Sequence, residues 1–147
     1  MSRIQWFYCQ PPVVDKWEVL TWLSILLAKD SALSASLLTS QLTLEEEHQK
    51  TVVLHNIVIV SMFIKAPQLP KTVCCQIDQG VIWNTGIVRY LVVLMFPDTY
   101  DRVEAEISKL GIARRFRDRD YMIAKDPEMQ RNQINQILLE SPSEVTH

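Results

Sequence analysis

The sequence has 147 residues, of which 48% are apolar and 22% charged; this is long enough to close one hydrophobic core and excludes the charge excess of a disordered chain. Lys and Arg number 15 against 17 Asp and Glu, a formal net charge of -2, which excludes the strongly basic footprint of a nucleic-acid-binding module. The one basic cluster, Arg114, Arg115, Arg117 and Arg119, is interleaved with Asp118 and Asp120 and reads as a solvated helix end, so no direct nucleic-acid contact is expected.

An apolar opening (Ile4, Trp6, Phe7, Tyr8) meets the breaker Pro11-Pro12, after which Asp15 stands where an N-cap belongs, with Glu18 three residues on; this predicts a helix. Val19, Trp22, Leu23 and Leu26 form its inward stripe, widened by Trp17, Leu20 and Leu27, and it ends near Lys29-Asp30. Ser31 is the expected cap of a second helix that runs to about Glu47, with Leu33, Leu37, Leu38, Leu42 and Leu44 inward. Its trailing EEEH run is misplaced for the helix dipole, because carboxylates near a C-terminus are repelled.

From Asn56 the hydrophobic period changes. The run NIVIVSMFI predicts a strand covered on both faces, as does Ile87 to Phe96, with Lys71 to Ile77 as a third strand and GVIW as a fourth. KAPQLP and NTG are turns. Asp98 with Asp101 opens a helix whose Tyr100, Val103, Ile107 and Leu110 form the expected inward seam, and a short helix is expected over Arg119 to Ala124. Asp126-Pro127 is an N-cap and N1 pair for a last helix with Met129, Ile134, Ile137 and Leu138 facing in. The order predicts an α/β fold, a mixed β-sheet with helices packed on its faces, in a single domain over residues 1–147 (core about 14–139, tail 141–147).

Cys9, Cys74 and Cys75 are odd in number and two are adjacent, which fits buried free thiols and not a disulfide framework. No zinc spacing, Gly-rich phosphate loop, GxSxG elbow or HExxH pattern occurs, so neither a metal nor a cofactor is expected. No apolar run approaches the roughly 18 residues of a membrane span, and the start lacks a signal-peptide core, so a cytoplasmic protein without membrane insertion is expected.

From about Val14 to Leu139 the order of phrases resembles the IIA domain of the bacterial sugar phosphotransferase system, in its fructose and mannitol type (EIIA type 2). KWEVLTWLSILLAKDSAL is similar to the family's leading helix, and SLLTSQLTLEEEHQKT to the helix that closes with Arg-Glu and a nearby Thr. NIVIVS stands where the family carries Gly-Ile-Ala-Ile-Pro-His, CCQIDQGVIWNTGIVRYLVVLMF is similar to the strands after it, and RDRDYMIAKDPEM to the closing Ser-Pro-Glu region. With IQWFYC as a leading strand, the likeness is greatest to IIA-like modules at the C-terminus of transcription regulators and antiterminators that carry phosphotransferase-system regulatory domains.

That resemblance implies a domain whose family relays a phosphoryl group through a histidine, a nucleophile near pH 7. Here the histidine's position is Ser61, and the family's phosphate-favouring Arg is Glu45. A second family histidine would fall within Asp98 to Val103, where none stands. No catalytic residue is therefore expected: Ser61 and Glu45 are vestigial positions, and enzyme activity is disfavoured without being excluded. The alternative is a true phosphocarrier using His55, whereas His48 reads as a favourable cation at a helix C-terminus. The expected partners are phosphotransferase-system or regulator proteins or domains, and a homo-oligomer or a free-standing protein controlling a transporter or kinase is compatible with the same residues.

Overall fold

In the computed structural model, which describes residues 4–9, 15–31, 34–48, 50–65, 71–84, 86–118 and 126–140, the chain runs β1 (Ile4–Cys9), α1 (Lys16–Ser31), α2 (Ala35–Glu47), β2 (Val52–Leu54), β3 (Ile57–Ile64), β4 (Lys71–Trp83), β5 (Gly86–Pro97), α3 (Arg102–Asp118) and α4 (Pro127–Leu138). The strands form one five-stranded sheet in the order β1-β4-β5-β3-β2. The β1–β4 and β3–β5 pairings are parallel, the β4–β5 and β2–β3 pairings antiparallel. This is the mixed α/β sandwich that the order of periods predicts.

The continuous apolar run of β3 follows from its place inside the sheet, because both of its faces are covered. Val58, Val60, Met62 and Ile64 join Val19, Leu20, Leu23, Leu27, Leu38 and Leu42 under α1 and α2. Ile57 and Ile59 instead face Ala105, Ala113 and Phe116 of α3 and Ile134 and Ile137 of α4. The adjacent Cys74 and Cys75 divide between the two cores as strand alternation requires. All three cysteines are free and buried, and burial holds each thiol above its ordinary pKa.

Several expectations need correction. The third and fourth strands are one, β4, whose register with β5 is irregular between Gln76 and Val81; Gly80, at φ 72°, turns the backbone there where a Cβ would meet Ile87 Cγ2 at 2.8 Å. β2 is a short edge strand that the β-branched pattern did not single out. Ser31 closes α1, and the cap of α2 is Ser34, whose side chain accepts from the Leu37 N–H. Leu37 and Leu44 are exposed and Trp17 is 41% exposed, because α1 and α2 bury narrower stripes. Leu33 and the short helix over 119–124 lie outside the described residues.

The largest correction concerns α3. Asp101 caps it as expected, accepting from the N–H groups of Val103 and Glu104, but Val103, Ile107 and Leu110 point outward. The buried face is Ala105, Lys109, Ala113 and Phe116. The sheet surface beneath already carries bulky Ile57, Ile59, Val92 and Leu94, so small alanines let the helix backbone approach closely. In α4, Ile134 and Ile137 are buried and Leu138 half-buried, while Met129 is exposed in the first turn. Trp6 Nε1 donates to Asn135 at 2.8 Å and the Tyr90 hydroxyl to Gln130 at 2.7 Å, fixing α4 to the sheet.

Candidate functional site

β2 pairs with β3 only from Ile57 to Ile59, so beyond that point the β3 edge has backbone groups without a strand beside them. Helix α2 runs along this edge and supplies the partners from side chains one turn apart. Gln41 donates Nε2 to the Phe63 carbonyl at 2.7 Å and accepts from the Phe63 N–H at 2.9 Å. Glu45 Oε1 accepts from the Ser61 N–H at 3.3 Å and from Ser61 Oγ at 2.8 Å. A bare sheet edge is thus closed by two polar side chains.

From the other side α3 inserts Lys109, whose side chain is fully buried. Its ammonium donates to the Lys50 carbonyl at 2.7 Å and lies 3.1 Å from Glu106 Oε2, 3.5 Å from Glu45 Oε1 and 3.5 Å from Ser61 Oγ. A buried ammonium persists only with such partners, since removing an unpaired ion from water costs several kcal/mol. Ser61 is 4% exposed, so its hydroxyl is held inside the network.

The network forms the inner wall of a cavity of about 400 Å³, lined among others by Gln41, Glu45, His48, Lys50, Ser61 and Arg102. Phe96 stacks on Phe63 and Tyr100, and the Arg102 guanidinium lies 3.5 Å over the Phe63 ring. Among the described residues, Lys50 and Arg102 form no ion pair, whereas Glu45 and Glu106 both engage Lys109.

The structure brings Ser61 and Glu45 together and leaves His55 apart. His55 is exposed in the turn before β3, about 20 Å along the strand from Ser61 at the usual rise per residue. His48 caps the C-terminus of α2, its N–H donating to the Leu44 carbonyl at 2.9 Å, and its side chain lines the cavity. Sequence reasoning missed Lys109 because a single lysine in a helix normally points to water. The signal available was its spacing from Ala105, Ala113 and Phe116, which define a second, small-residue face.

A neighbouring network explains Glu46, the second carboxylate of the acidic run. Glu46 is buried and accepts from Lys16 Nζ at 2.6 Å, Thr51 Oγ1 at 2.5 Å and Trp83 Nε1 at 3.2 Å. Lys16 also donates to Asn84 at 3.0 Å, so one carboxylate joins α1, α2 and the β4–β5 turn. Tertiary partners, not the helix dipole, hold these carboxylates in place. No group of His, Cys, Asp and Glu among the described residues could hold a metal ion, and no helix there is long and apolar enough to cross a membrane.

The sheet order and the helices on both faces make an α/β sandwich. One solved structure with this fold is the nitrogen regulatory protein IIA-Ntr from Neisseria meningitidis, with a TM-score of 0.62 and 16% identity over 97% of this chain and 89% of that one. No family model matches the chain, and no curated protein does.

Proposed function

We propose that this chain is a regulatory IIA-type domain that acts by contact with other proteins and not by relaying phosphate. The observation that carries the reading is the closed Ser61–Glu45–Lys109 network at the position where the resemblance expects a phosphorylated histidine. A serine needs a free base and an open path to attack, and its phosphate ester is a poor onward donor. Here the hydroxyl bonds to a carboxylate already engaged by the buried Lys109, and almost no solvent reaches it. The regulatory name of the Neisseria protein supports the regulatory part of this reading. Attachment to a sugar-responsive transcription regulator or antiterminator is the setting that we infer from the sequence resemblance.

The cavity mouth is the surface offered to a partner. Lys50 and Arg102 line it without an ion pair among the described residues, beside exposed Leu44, while the cavity's Glu45 and Glu106 are engaged by Lys109, a combination suited to an acidic group flanked by apolar side chains. The decisive experiment mixes the protein with a phosphorylated histidine phosphocarrier and reads intact mass. No adduct is expected, and a stoichiometric, acid-labile phosphoryl adduct overturns the proposal.

The second reading is a phosphocarrier with a displaced acceptor. His48 favours it, because this histidine lines the cavity and His55 does not. In that case the adduct forms and disappears in His48→Gln while surviving in His55→Gln.

A further inference from the structure

On α3, Val103, Ile107 and Leu110 are 67%, 58% and 48% exposed. With Gly111 and Arg114 they recur at the spacing of one helical stripe, on the side opposite buried Ala105, Lys109 and Phe116. Gly111 is exposed, and a Cβ there would meet nothing within 4 Å. No contact among the described residues therefore requires a glycine in mid-helix, where it weakens the helix. A bare backbone on an exposed apolar stripe suits the close approach of another helix.

The charges beside the stripe say which helix. Glu104 and Glu106 lie in the first half of α3, and Arg114, Arg117 and Asp118 in the second, so the first half beside the stripe is acidic and the second carries a smaller net positive charge. Two such helices side by side in parallel bring like charges together, whereas an antiparallel pair brings acidic half to basic half twice. A surface complementary to itself in this way is what a two-fold interface needs.

We propose that α3 pairs antiparallel with α3 of a second copy of this chain, crossing near Leu110 and Gly111. At that crossing Glu106 and Arg117 of the second copy share one flank, and Ile107 lies against the stem of Arg114 of the second copy. One helix face covers less than the roughly 800 Å² per partner of a standard interface, so the dimer is weak and its population depends on concentration. Opposite charges also make association weaker as salt rises, with the apolar part remaining. Glu106 touches the Ser61 network through Lys109, but the apolar stripe and both tested positions, Ile107 and Gly111, lie outside it, so the test does not depend on the phosphotransfer question.

Sedimentation velocity between about 5 and 500 µM, a range set by the weak-interface expectation, tests it. The unaltered chain should pass from monomer to dimer, and Ile107→Ser and Gly111→Gln should each weaken association about tenfold or more, the scale of losing a central contact. Both positions are exposed, so circular dichroism should show the fold retained, and Gly111→Gln should unfold at a higher temperature because it improves the helix. A monomer at every concentration overturns the proposal, as does a dimer that neither substitution affects.

Discussion

Ser61 donates its hydroxyl to Glu45 Oε1 at 2.8 Å, and the same oxygen accepts from the Ser61 N–H at 3.3 Å. The serine where the resemblance implies a histidine and the glutamate where it implies an arginine are therefore not separate departures. They are one interaction, and each residue accounts for the other. Together with Gln41 it closes the part of β3 that β2 leaves open.

A double-mutant cycle of Ser61→Ala and Glu45→Ala should accordingly show a coupling of about 1.5–3 kcal/mol, the range of a hydrogen bond to a charged group. Urea unfolding of the four proteins measures it. Additive effects within about 0.3 kcal/mol, the usual limit for independent sites, contradict a coupled pair.

Lys109→Met keeps the stem and removes the ammonium, leaving Glu45 and the Lys50 carbonyl without their cation. A loss of about 3 kcal/mol is expected, the lower end for breaking a buried ion pair because Glu106 is half-exposed. Adding Glu45→Gln to Lys109→Met should recover part of it, since the uncompensated charge is then gone. Calorimetric unfolding of both variants decides.

Glu46→Ala strips a buried acceptor from Lys16, Thr51 and Trp83 at once. Stability should fall by about 2–3 kcal/mol, the cost of leaving buried donors unsatisfied. Glu47→Ala, on the exposed side of the same helix end, should change it by less than about 0.5 kcal/mol. Equal effects of the two substitutions would show that the run acts through general charge.

Burial raises the thiols of Cys9, Cys74 and Cys75 above their ordinary pKa. The folded protein then holds protons that the unfolded chain releases above about pH 8.5, so ν_N exceeds ν_U and stability falls as pH rises past that value. The thiols should also resist a disulfide reagent at pH 8 until denaturant is added. Cys75→Ala should flatten the alkaline slope in denaturant titrations from pH 7 to pH 10; an unchanged slope removes Cys75 as a contributor.

What the sequence determined by itself was whatever rests on local period and local hydrogen bonding. The β-branched run of β3, the caps at Asp15, Asp101 and Asp126 and the division of Cys74 from Cys75 all follow from alternation or from a side chain reaching a few residues ahead. The order of phrases also singled out Ser61 and Glu45, and the structure brings these two side chains into contact. What only the tertiary structure decided was which helix face turns inward and which distant groups meet. Pattern reading assigned Val103, Ile107 and Leu110 to the core because they are large and apolar, but the face that packs on the sheet is Ala105, Lys109, Ala113 and Phe116. Lys109 could be buried there because Glu45, Glu106 and the Lys50 carbonyl, brought from other parts of the chain and the adjoining turn, surround its charge. Burial of an ion depends on all its partners at once, and such a sum exists only after the chain has folded.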